Sequence, residues 1–132
     1  MENKRKIQIP HVYKHFKGEK YVTLFTATYI SEEESNESKI ESYTEARYTE
    51  GRGNVHIIER DNKYRYRNVH THEDYGELVI YKCITGKNIG RVYARPLEMF
   101  ASKVDTNKYP DVKQIYRFEK VMDKMIEVKI NE

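Results

Sequence analysis

The strongest constraint on the fold is a succession of short runs rich in β-branched and aromatic residues, each closed by turn residues. Residues 21–29 (YVTLFTATY) contain no Gly or Pro and read as a strand. Asn54–Arg60 and residues 63–69 flank Asp61-Asn62, a two-residue hairpin turn. The second arm, Lys63-Tyr64-Arg65-Tyr66-Arg67, alternates strictly, which puts tyrosines on one face of a strand and cations on the other. Residues 77–85 (ELVIYKCIT) are the most apolar stretch, and Gly86-Lys87-Asn88 turns them into residues 89–94. There Arg91 and Tyr93 share one face, and Val92 and Ala94 the other. A single helix interrupts the pattern. Pro96 suits a first helical position because it needs no N–H there, and residues 96–104 would bury Leu97, Phe100 and Val104 at helical spacing. Residues 115–122 and 125–130 read as two more strands.

A chain of 132 residues fits one domain spanning residues 1–132. With 34% charged and 38% hydrophobic residues, its core should be small and its polar surface thick. No apolar run approaches the ~18 residues of a membrane span, and residues 1–6 lead into no signal-peptide apolar region. The lone Cys83 cannot form an internal disulfide, so a reducing cytoplasm is the expected setting. Membrane, collagen-like, disulfide-scaffold and zinc-finger classes are excluded.

Charge is uneven. Residues 31–50 hold seven Glu against Lys39 and Arg47. That stretch nets −5, and the rest of the +3 chain nets +8. Residues 31–38 (SEEESNES) read as a mobile acidic loop that folding does not need, either solvated or lying as a lid over a basic face. The acidic block reads as a flap inserted into a mildly basic domain.

Three blocks resemble a known family. Residues 13–21 (YKHFKGEKY), residues 72–100 from HEDYGELVIYK through ARPLEMF, and residues 109–120 (YPDVKQIYRFEK) are similar to DUF1653, a small bacterial and phage domain without assigned activity. The resemblance implies a compact, mostly β domain and a bacterial or phage origin. Against the family pattern, residues 31–69, with the mobile acidic loop and the Tyr/Arg-rich hairpin, look like an insertion, and two further places depart from it. His72-Glu73-Asp74-Tyr75 stands where the family has His-Ser-Glu-Thr, and Tyr93 where it has Trp before the Arg-Pro pair.

Candidate chemistry follows from residue types. His70-Thr71-His72 on a strand would point both imidazoles to one face, but two clear ligands are too few for a structural zinc. Cys83, sharing a face with Val79 and Tyr81, reads as a core cysteine and not a nucleophile. No nucleophile elbow, phosphate loop or carboxylate pair is present, so no catalytic residue, metal or cofactor is assigned. In His15-Phe16-Lys17-Gly18, Phe16 reads as a core plug and Gly18 as a positive-φ turn residue. Alternatively, His15 and Lys17 donate to an anion, joined by Arg95 at the mouth of a barrel. Arg offers a planar fork and Lys a point charge. If an imidazolium at His15 is the donor, affinity falls as pH rises through about 6–7. Arg95 could instead pair internally with Glu77 or Glu98. Tyr64 and Tyr66 with Arg65 and Arg67 have the ingredients of a nucleic-acid platform, of a protein-contact surface, or of a plain cross-strand ladder.

These readings combine into a small SH3-like or related antiparallel β-barrel with one short helix, near 96–104, and an inserted hairpin. The expected function is non-catalytic binding of a small anionic ligand such as a nucleotide, through His15, Lys17, Tyr21, Tyr81, Arg91 and Arg95. The alternative is a protein-interaction module using residues 31–69, as in a phage accessory or anti-defence factor, through Tyr64, Arg65, Tyr66 and Arg67. Nucleic-acid binding is third.

Overall fold

The computed structural model describes residues 5–31, 43–60, 62–68 and 71–121. In chain order they form β1 (Val12–His15), β2 (Lys20–Tyr29), β3 (Tyr43–Tyr48), β4 (Asn54–Arg60), β5 (Lys63–Asn68), β6 (Leu78–Cys83), β7 (Val92–Pro96), helix α1 (Leu97–Phe100) and β8 (Phe118–Lys120). One sheet runs β5-β4-β3-β7-β6-β2-β1-β8, and β5 also pairs with β2. That second pairing closes six strands into a barrel and leaves β1 and β8 continuing beyond β2.

The fold is the mainly β barrel expected, and most of its pairings are antiparallel, but two are parallel. β3 runs parallel to β7 (Arg47↔Tyr93, Tyr48↔Ala94), and β5 runs parallel to β2 (Thr28↔Arg65, Tyr29↔Tyr66). The cause is the β3–β4–β5 meander, which slots between β7 and β2 and meets both neighbours in the same chain direction. β3, β4 and β5, all within residues 31–69, therefore make up half of the six barrel strands. Ala46, Tyr48, Val55, Ile57 and Tyr66 from these strands share one buried core with Ala27, Leu78, Ile80 and Ala94. The acidic loop expected at 31–38 lies, apart from Ser31, outside the described residues.

β6 is apolar throughout because both of its faces are covered. Leu78 and Ile80 point into the barrel. Val79 and Tyr81 point outward into a second cluster with Tyr13, Phe100 and Phe118. Phe100 and Phe118 stack at 4.1 Å and 7°, and Tyr81 meets both rings edge-on, a favourable aromatic arrangement. Cys83 is buried and its thiol donates to the Thr85 carbonyl at 3.0 Å, as a core cysteine should. A register shift in β2 between Thr23 and Phe25 is the kind of bulge that bends a strand. It lets the first half of β2 pair with β1 while the second half joins the barrel.

Three boundaries differ from expectation. The helix is a single turn, and Pro96 precedes it as the cap residue and not as its first member, because Pro96 still pairs with Leu78 as the end of β7. Beyond it the Val104 amide bonds the Ile115 carbonyl, so the chain leaves the helix although Val104 remains buried. β7 starts at Val92, since residues 86–90 make a turn with Gly86 and Gly90 at positive φ and Ile89 is exposed. At the C-terminus β8 spans only Phe118–Lys120, and the strand expected at 125–130 lies outside the described residues. No helix among them is long and apolar enough to cross a membrane.

Candidate functional site

A cavity of about 300 Å³ opens on the outer wall of the barrel, between β6–β7 and the β1–β8 extension. Alternation on β7 explains why it is outside. Ala94 packs in the barrel core with Val92 against it, so Tyr93 and Arg95 face outward. The residues expected to meet at the barrel mouth thus meet in the second layer. His15, Lys17, Tyr21, Tyr81 and Arg95 all line this one cavity, with Phe16, Glu19, Thr49, Tyr93, Tyr109, Arg117 and Phe118.

The β1–β2 turn presents His15, Lys17 and Glu19. Gly18, at φ 111°, donates its amide to the His15 carbonyl at 2.8 Å, and the His15 amide bonds the Glu19 carbonyl at 2.8 Å. This is the positive-φ turn expected of Gly18. Phe16 is half-buried, not a core plug; its ring lies 4.8 Å from that of Tyr109. The Lys17 ammonium sits 5.9 and 5.6 Å from these two ring centres. The Phe16 amide also donates to the Arg117 carbonyl at 3.0 Å, tying the turn to the C-terminal loop. Gln114 braces that loop by bonding the carbonyls of Lys14 and Tyr116, both at 2.9 Å.

Arg95 is held from two sides. Its Nε donates to the Tyr81 hydroxyl at 3.1 Å, and its guanidinium lies 5.5 Å from the Phe118 ring centre. The internal carboxylate partner is neither Glu77 nor Glu98 but Glu50, at a loose 3.6 Å. Thr49 Oγ1 donates to the same Glu50 oxygen. Arg117 Nε reaches Ser102 Oγ at 3.3 Å. Neither Lys17 nor Arg117 forms an ion pair among the described residues.

Burial, seconded by the cations, sets the protonation of the site. Burial first, then the charges of Arg95, Arg117 and Lys17, hold the His15 imidazole down to about 4. His15 is therefore neutral near pH 7. Its Nδ1 accepts from the Lys17 amide at 3.1 Å, which leaves the ring proton on Nε2. The imidazolium donor expected at pH 6–7 is replaced by a neutral N–H donor. Burial, with smaller effects of Cys83, Tyr81, Tyr93 and Glu19, pushes the Tyr21 phenol up to about 12. Burial also raises Tyr81, against the pull of Arg95. Both phenols keep their protons and can donate.

Arg91 does not line the cavity. It shares the outward face of Tyr93 but precedes β7 at the exposed turn, where its amide bonds the Asn88 carbonyl. Arg117, Glu19 and Tyr109 were missed: each lies in a turn or irregular loop, where no strand period assigns a face.

The hairpin is not a two-ring platform. Tyr66 is wholly buried in the barrel; its hydroxyl donates to the Gly76 carbonyl at 2.8 Å and accepts from the Tyr75 amide at 2.7 Å. Tyr64 alone is exposed, stacked on Phe25 at 3.8 Å. Arg65 is turned back onto the Tyr29 carbonyl at 2.7 Å, and Arg67 is half-buried. β5 closes the barrel, and that closure draws in the ring a partner would need. His72 has φ 54° and lies on no strand, contrary to the strand expected at 70–72; His70 is outside the described residues. No group of three or more potential metal-ligating His, Cys, Asp or Glu side chains occurs among the described residues.

Residues 60–120 match the model of a family described as a protein of unknown function, DUF1653. The match bears out the resemblance over just under half of the chain. It covers Tyr81, Tyr93, Arg95, Tyr109, Arg117 and Phe118; the block at 13–21, with His15 and Lys17, lies before it. No curated protein and no solved structure matches the chain.

Proposed function

We propose that the outer-wall cavity binds a small anionic ligand and that a nucleotide is the class it suits best. One observation carries this reading: Lys17, Arg95 and Arg117, from three separate segments, converge around a neutral His15 inside one ring-walled cavity. Arg95 and Arg117 are half-buried and Lys17 is exposed at the rim; half-buried cations without full counter-charge are costly, and an entering anion offsets that cost. Arg95 supplies a fork for phosphate or carboxylate, Lys17 a point charge, and the half-buried rings of Tyr21 and Tyr93 a surface for a flat base. The volume falls at the lower end of small-ligand sites. The binding is non-catalytic, and a cytoplasmic setting in a bacterial or phage context goes with it. A protein-interaction role through 31–69 has less support, because Tyr66 is core. Nucleic-acid binding loses its paired rings for the same reason.

Calorimetric titration with a panel of nucleotides and dicarboxylates tests the reading. Arg95→Lys keeps the charge but loses the fork, and is expected to weaken binding about tenfold or more with the melting temperature little changed. Silence across the panel would remove the proposal. A variant that only loses stability would make Arg95 a structural residue.

A further inference from the structure

The cavity holds a carboxylate as well as cations, and they do not neutralise one another. Glu19 lines it beside Tyr21, yet makes no ion pair with Lys17, Arg95 or Arg117. Two contacts keep it apart. Thr85 Oγ1 donates to Glu19 Oε2 at 2.9 Å, drawing the side chain toward the β6–β7 turn. The carboxylate then packs onto Gly86 so closely that a Cβ there would clash with its atoms. Gly86, at φ 79°, both makes the turn and leaves the space that Glu19 fills. Glu19 Oε1 accepts no hydrogen bond among the described residues. A half-buried acceptor of this kind favours a donor and disfavours a second anion or a carbonyl oxygen.

Separated charges of both signs in one ring-walled cavity call for a ligand of matching polarity. Resting on the anion-binding reading above, we infer that Glu19 receives an amino group, so that the ligand is a nucleoside monophosphate whose base carries an exocyclic amine. The phosphate lies among Lys17, Arg95 and Arg117, the base lies along the rings of Tyr21 and Tyr93, and the amine donates to Glu19. Hypoxanthine and uracil place a keto oxygen where adenine and cytosine carry the amine, keep only a ring N–H to offer the carboxylate, and bind more weakly. A di- or triphosphate brings further negative charge toward Glu19 and gains little.

The test compares AMP with IMP, and CMP with UMP, by calorimetry on the wild-type chain and on Glu19→Gln. Gln retains an oxygen acceptor for Thr85 and removes the charge, and thermal melts of both proteins verify the fold. The wild type should favour the amino member of each pair by about tenfold or more, and Glu19→Gln should bring the members of each pair to within about threefold. Equal affinities in the wild type, or a preference that survives in Glu19→Gln, would overturn the role of Glu19 while leaving the anion site standing. No binding by any of the four nucleotides would overturn the anion reading and this inference together.

Discussion

At the scale of single residues, two groups carry distinct expectations. His15 titrates at about 4 in the folded chain, below its ordinary 6.5. Between those values the unfolded chain binds more protons, so the stability contributed by neutral His15 is present above about pH 6.5 and is lost as pH falls toward 4. Melts at pH 7 and pH 4.5 should show a larger drop in Tm for the wild type than for His15→Gln; equal drops would place the imidazole outside the field of Arg95, Arg117 and Lys17. Glu50 is the resident counter-ion of Arg95, but at 3.6 Å and partly exposed such a pair is weak. Glu50→Gln should therefore tighten anion binding about two- to fivefold without loss of stability, and weaker binding in the variant would mean that Glu50 positions the guanidinium. His15, Lys17 and Arg95 were readable as a set because each is a donor beside a recognisable turn or strand end. Arg117 and Glu19 were not, because their places in the cavity depend on Gln114, Thr85 and Gly86, partners 3 to 67 residues away in the chain.

Among the elements, β2, β4, β5 and β6 could be read from local composition alone, since β-branched and aromatic runs between turns have few alternatives. Their faces were harder to assign. Tyr64 and Tyr66 alternate with cations just as an exposed ladder would, and only the pairing of β5 with β2 decides that Tyr66 points inward. Its hydroxyl serves two backbone groups, so Tyr66→Phe leaves the Tyr75 amide and Gly76 carbonyl without that partner and should cost about 1–3 kcal/mol in urea unfolding. An unchanged midpoint would show that water reaches both groups. In α1 the expected buried residue is correct although the helix is shorter. Phe100 is fully buried on Phe118, and Phe100→Ala should cost about 3–5 kcal/mol, a large share of what a domain of this size has. A melt within a few degrees of wild type would place the ring at the surface.

For the whole molecule, a mainly β barrel follows from the spacing of short strands, whereas its closure does not. β2–β5 and β3–β7 are parallel contacts between segments far apart in sequence, and hydrophobic alternation carries no information on which strand neighbours which. That topology also moves the site. The barrel interior is packed with Leu78, Ile80, Tyr66 and Ala94, and the candidate cavity lies in the second layer, where β1, β8 and α1 cover β6 and β7. The most direct measurement is an NMR titration of the isotope-labelled chain with AMP, following the His15 imidazole, the Arg95 and Arg117 guanidinium groups and the Tyr64 ring. A ligand in the outer-wall cavity shifts His15, Arg95 and Arg117 together along one saturating curve and leaves Tyr64 unmoved. Shifts confined to Tyr64 and its neighbours, or none at millimolar ligand, would contradict an anion site on the outer wall.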